Sequence, residues 1–181
     1  MRQALLLVGP ICSGKTTLAN KLIEKKFIKN RSNFYSIEQC RYNFGDGQMS
    51  GEFFAWANFL QSMEHPPVND NAIYEFSGTG RNVFNVAKAI EFSSRNGDIE
   101  WIVAYCLAGE KTILERFPTK QYDAPCPYPM DNPKNSLEYM NNELKKTFQN
   151  AYEWNGSKRL KLNLSSPDLD SIADEIMGAF Q

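Results

Sequence analysis

Residues 9–16, Gly9-Pro10-Ile11-Cys12-Ser13-Gly14-Lys15-Thr16, constrain this chain more than any other stretch. They match the pattern G-x-x-x-x-G-K-[ST] in full, a pattern that carries meaning only where an apolar strand runs into it and a helix leaves it. Both conditions hold. Residues 4–8 form a continuous apolar run, and Leu18, Leu22 and Ile23 follow at helical spacing. Gly9 lets the chain turn off the strand, and Gly14 lets the backbone come close to an anion. Successive N–H groups and the helix N-terminus then face that anion. The residues expected to hold a nucleotide are Gly9, Ile11, Cys12, Ser13, Gly14, Lys15, Thr16 and Thr17. Lys15 can reach the β- and γ-phosphates of ATP, and the Thr16 hydroxyl can hold Mg²⁺. A chance match in a chain of this length is expected roughly once in a hundred or less.

The rest of the chain alternates in the same way. Apolar or alternating runs at 34–37, 72–76, 100–107 and 160–164 read as four more strands. Runs of this kind separated by helical patterns read as βαβ units around a parallel sheet. Leu137, Leu144 and Ala151 lie on one face of a helix that can start at Ser136. Near the C-terminus, Ser166 is placed to cap a helix, with Pro167 at its first position and Asp168 favouring its N-terminal dipole. Leu169, Ile172, Ala173, Ile176, Met177 and Phe180 then repeat at helical spacing. The 181 residues suit one domain spanning 1–181.

Several function classes are disfavoured. The net charge of −1 argues against a protein that coats extended duplex nucleic acid. The four cysteines, Cys12, Cys40, Cys106 and Cys126, show no C-x-x-C spacing, which suits a reducing, cytoplasmic setting. A single histidine, His65, makes histidine metal clusters and Ser-His-Asp chemistry poor choices. The apolar start of the chain is too short for a leader, and no run approaches the roughly 20 residues of a membrane span. Among nucleotide-binding classes, the only Asn-Lys pair, Asn20-Lys21, lies in the first helix rather than after a late strand, where a guanine reader would need it. No Leu-Ser-Gly-Gly-Gln stretch points to a transporter ATPase.

The order of elements resembles the small P-loop kinases, a group that includes polynucleotide, gluconate, adenylylsulfate and adenylate kinases. Such kinases often carry Ser-x-Asp-x-x-Arg after the second strand. Here the stretch is Ser36-Ile37-Glu38-Gln39-Cys40-Arg41, with glutamate for aspartate, as in deoxynucleoside kinases. Glu75-Phe76-Ser77-Gly78-Thr79-Gly80-Arg81 is similar to the acidic-then-glycine segment after the third strand. Arg116 and Lys120, four apart, resemble the basic pair of a lid helix. The resemblance implies a three-layer, doubly wound α/β domain with a five-stranded parallel sheet in the order 2-3-1-4-5.

It also implies roles. Glu38 is the candidate general base for an acceptor hydroxyl; the competing reading is a solvated glutamate at a helix start. Arg41 and Arg81 are candidates to hold an acceptor phosphate, against plain surface arginines. Glu75 is placed to hold Mg²⁺ with Thr16, or to make a structural hydrogen bond. Arg116 is the candidate to neutralise the transferring phosphoryl group. Residues 38–68 would form the acceptor region. Residues 116–135, five prolines among them, would form a lid carrying Arg116 and Lys120. Phe53, Phe54, Trp56 and Phe59 have a spacing that favours core packing over a base-stacking platform. The expected reaction is transfer of the ATP γ-phosphate to a nucleotide-type or polynucleotide 5′-hydroxyl acceptor. The alternatives are a kinase of a small metabolite or nucleoside, and a non-catalytic ATP sensor.

Overall fold

The computed structural model describes residues 1–96, 99–117, 124–127, 137–138, 141–142, 154–165 and 168–180. Five strands are present: β1 (Arg2–Val8), β2 (Phe34–Ser36), β3 (Ala72–Phe76), β4 (Ile99–Leu107) and β5 (Ser157–Asn163). They form one sheet in the order β2-β3-β1-β4-β5, with every neighbouring pair parallel. This is the order the family resemblance implied. Parallel neighbours need crossovers, and the described helices between strands are α1 (Lys15–Glu24), α2 (Ile37–Phe44), α3 (Met49–Glu64), α4 (Val83–Asn96) and α5 (Glu110–Arg116); α6 (Leu169–Ala179) follows the last strand. None of the described helices is long and apolar enough to cross a membrane.

The period of two along β1 divides the core into two layers. Ala4, Leu6 and Val8 join Cys40, Phe59, Tyr74, Val86 and Trp101 on the face covered by α2, α3 and α4. Leu5 and Leu7 join Leu18, Leu22, Ile102, Ala173 and Ile176 on the face covered by α1 and α6. The central strand is thus buried on both sides, which is why it reads as unbroken leucine and valine rather than as an alternation.

Two local expectations change. The second strand ends at Ser36, not Ile37, because the Ser36 hydroxyl accepts a hydrogen bond from the Gln39 N–H at 3.0 Å and caps α2. Glu38 therefore sits in the first turn of a helix. The last helix is capped by Asp168, whose carboxylate accepts from the Ser171 N–H at 3.1 Å. Ser166 and Pro167, the expected cap and first turn, lie outside the described residues, as do Ser136, Leu144 and Ala151. Of that helix pattern, Leu137 is described and buried.

Candidate active site

All five strands run in one direction, so their carboxyl ends share one edge, where ligands bind in open parallel sheets. β1 delivers residues 9–14 to that edge. The Gly9 N–H continues the ladder by donating to the Ser77 carbonyl beyond β3 at 3.1 Å. On its other side Gly9 lies against β4: a Cβ there would stand 2.1 Å from the Cys106 carbonyl oxygen. No side chain fits that gap, which accounts for the first glycine of the motif. Gly14 has φ +106° and caps α1 from the left-handed region, so its N–H joins those at the helix start. Gly9→Ala should cost at least about 2 to 3 kcal/mol, because the obstacle is backbone and cannot rotate away. An unshifted urea midpoint for Gly9→Ala would show that β4 yields there.

The motif's side chains converge below the loop. Lys15 is 9% exposed, and its ammonium donates to the Gly9 and Pro10 carbonyls at 2.9 and 2.8 Å. Those bonds satisfy a buried cation while keeping it at the loop. The Thr16 hydroxyl donates to Glu75 Oε1 at 2.9 Å. Thr16 is in the first turn of α1 and Glu75 is on β3, so the bond joins residues 59 apart. Leu7 and Ser36 flank Glu75 in the strand register, which puts this carboxylate directly beside the loop. A hydroxyl and a carboxylate are the hard oxygen donors Mg²⁺ prefers. The residues present therefore fit a magnesium nucleotide. The Ser13 side chain is fully buried, and its hydroxyl lies close under Gly9.

β2 lies beside β3, and Glu38 follows β2 by two residues, half-buried in the first turn of α2. Two strand spacings, about 10 Å, separate β2 from β1 and its loop. Glu38, Glu75 and Thr16 thus share one edge of the sheet. Arg116, the last residue of α5, reaches the phosphate loop from the opposite side. Its Nη1 donates to the Ser13 and Cys12 carbonyls at 3.2 and 3.4 Å, and its Nη2 to the Leu164 carbonyl at 3.1 Å. The guanidinium ties α5, the loop and the turn after β5 together. Lys120 lies outside the described residues.

Residues 38–68, the stretch expected from sequence to receive an acceptor, include most of α2 and all of α3. Arg41 makes a two-pronged pair with Glu52: Nε to Oε2 at 2.8 Å and Nη2 to Oε1 at 2.6 Å. Oε1 also accepts from the Trp56 indole N–H at 2.8 Å. The side chains of Arg41 and Glu52 are only 14% and 6% exposed. Burial opposes charge on Glu52, but the hydrogen bond and charge of Arg41, with the Trp56 N–H, outweigh it and hold the carboxyl below the usual glutamate range. The stability this linkage gives is present above the ordinary glutamate pKa and is lost as pH falls through the lowered one. Removing one partner of such a buried pair costs about 3 to 5 kcal/mol, because the other charge stays buried. Glu52 was not anticipated from sequence: it lies on a different helix, 11 residues from Arg41. Arg81 is exposed between β3 and α4. The aromatic group divides. Trp56 and Phe59 pack into the core, whereas Phe53 and Phe54 are 70% and 57% exposed.

Of residues 116–135, the expected lid, only 116–117 and 124–127 are described, and the latter lie beside the C-terminal end of α2. A Cβ on Gly45, which caps α2, would lie 3.2 Å from the Pro125 carbonyl oxygen. Ala124 is buried. The thiols of Cys40 and Cys106 are pushed by burial up to about 11 and about 12, out of the reactive range.

Neither the comparison with protein-family models nor that with curated proteins gives a match. Solved structures do match. Shikimate kinase from Acinetobacter baumannii, in complex with shikimate, aligns over 99% of this chain and 93% of its own at TM-score 0.64 and 16% identity. Kti12 from Chaetomium thermophilum, in complex with ADP-AlF3, aligns over 98% and 99% at TM-score 0.62 and 16% identity. Deoxyadenosine kinase from M. mycoides, with products dCMP and dCDP, aligns over 98% of both chains at TM-score 0.59 and 12% identity. The chain has the P-loop kinase fold.

Proposed function

We propose that this chain is a cytoplasmic, magnesium-dependent kinase that transfers the γ-phosphate of ATP to an acceptor hydroxyl on a nucleotide-type molecule or a polynucleotide 5′ end. The observation that carries the reading is the Thr16–Glu75 hydrogen bond at 2.9 Å beneath a complete phosphate loop. It supports a metal-suited oxygen pair beside Lys15, with Glu38 in the first turn of the helix that follows the neighbouring strand. A chain that only sensed ATP would need no base at that position.

Each residue then has a task. The N–H groups of residues 9–16 and Lys15 hold the β- and γ-phosphates. Thr16 and Glu75 would hold Mg²⁺, which supplies charge stabilisation on the phosphate oxygens when bound. Glu38 takes the proton of the acceptor hydroxyl as its oxygen bonds to the γ-phosphorus and the bond to the β–γ bridging oxygen breaks. ADP leaves with that electron pair. Arg116 places a guanidinium against the loop to counter the developing charge. Residues 38–68 receive the acceptor, and Arg81 is assigned to its binding; the expected lid, 116–135 with Lys120, lies largely outside the described residues. The bound nucleotides in the deoxyadenosine kinase and Kti12 structures support the ATP site.

The test is ATP consumption with Mg²⁺ and a panel of 5′-hydroxyl oligonucleotides, nucleosides, nucleotides and sugars. Acceptor-dependent formation of ADP and a phosphorylated product is expected. Tight ATP binding with no acceptor-dependent turnover across the panel would favour the sensor.

A further inference from the structure

The Arg41–Glu52 pair involves the arginine that the sequence offers for gripping an acceptor phosphate. Its consequence rests on the kinase reading but concerns the acceptor alone. In the stretch after β2, Arg41 is the residue expected to meet an acceptor phosphate. Here the Nε and Nη2 edge of its guanidinium, the fork that matches a phosphate or carboxylate, is engaged by Glu52 at 2.8 and 2.6 Å. Glu52 is held in turn by the Trp56 N–H at 2.8 Å.

The turn between the two helices is equally constrained. Asp46 accepts from the Gln48 N–H at 2.8 Å, and a Cβ on Gly51 would stand 2.3 Å from an Asp46 carboxylate oxygen. These contacts fix the turn from which Glu52 enters α3. An anion taking that fork would leave the Glu52 carboxylate buried without its cation, a loss of about a hundredfold or more in affinity.

We propose that Glu52 sets the acceptor class: by holding Arg41 it restricts the site to a nucleotide-type or polynucleotide acceptor whose reacting 5′ end is a free hydroxyl, and turns away nucleoside 5′-monophosphates. Arg41 is then a positioning residue that fixes α2, and with it Glu38, rather than a phosphate clamp.

Calorimetric titration tests this with the full chain. The protein is first saturated with a non-hydrolysable ATP analogue and Mg²⁺; absence of binding at that step counts against the kinase reading and is seen before any acceptor is added. AMP is then titrated into the wild type, Arg41→Gln, Arg41→Lys and Glu52→Gln, with folding checked by circular dichroism. AMP affinity in the wild type should be undetectable or unchanged in both Arg41 variants. Glu52→Gln, which frees the fork without removing its shape, should gain AMP affinity by about tenfold or more. A merely structural Glu52 would produce no such gain. A tenfold or greater loss of AMP affinity in Arg41→Gln or Arg41→Lys, or no gain in a folded Glu52→Gln, would overturn the assignment.

Discussion

Lys15→Ala should fold normally and lose phosphoryl transfer by at least about 10³-fold in kcat/KM, the scale on which a cation at a transferring phosphate acts. The two effects separate because of where the ammonium sits. Its charge-assisted bonds to the Gly9 and Pro10 carbonyls, at 2.9 and 2.8 Å, are worth about 1.5 to 3 kcal/mol each, a loss a stable domain can absorb. Those carbonyls also lie in a loop at the sheet edge rather than in the core. In the proposed reaction the same charge would act on the phosphates in a site shielded from water, where a fixed cation counts for far more than in solution. Turnover and the urea midpoint measured on one preparation distinguish the outcomes. A folded Lys15→Ala protein with near-normal turnover would remove the kinase reading. A fall in turnover matched by unfolding would instead make Lys15 part of the scaffold.

The loop and the sheet were legible because local pattern and tertiary structure agree there. The Gly9–Thr16 motif, the apolar β1 and the apolar stripes of α1 and α6 each follow from near neighbours in the chain. What was hidden depends on contacts between distant segments. Nothing local to Arg41 says that Glu52 on another helix will hold it, and nothing near Arg116 shows that it will reach carbonyls 103 and 104 residues back. The α3 aromatics show the limit in one helix. Its buried stripe runs Glu52, Ala55, Phe59, Met63, which places Phe53 and Phe54 off the stripe and in solvent. A spacing argument applied to four aromatics together could not separate the two inside from the two outside. The Ser36 cap was a smaller ambiguity: a serine that ends a strand and one that starts a helix look alike until the Gln39 N–H is seen on its hydroxyl.

The remaining large effect belongs to Glu38. Glu38→Gln keeps the size and the hydrogen-bonding oxygen of the side chain but cannot take a proton, so ATP should bind as before while kcat falls by about 10²-fold or more. The conservative comparison is Glu38→Asp, which keeps the base and withdraws it by one methylene. It should retain more activity than Glu38→Gln if proton transfer is the task. If instead Glu38 only favours the N-terminal dipole of α2, both variants should turn over like the wild type. The glutamine should then show a stability loss of under about 1 kcal/mol, the usual worth of a carboxylate in a first helical turn. Saturating acceptor is essential, because a change in acceptor binding would appear in KM and leave kcat intact. An unchanged kcat in Glu38→Gln would move the search for the base along the sheet edge to Glu75. There the 2.9 Å bond from Thr16 couples the carboxylate to the nucleotide loop, so Glu75→Gln should impair ATP binding as well as turnover. The two glutamates would therefore be told apart by the step each is proposed to serve: proton transfer for Glu38, and metal and nucleotide binding for Glu75.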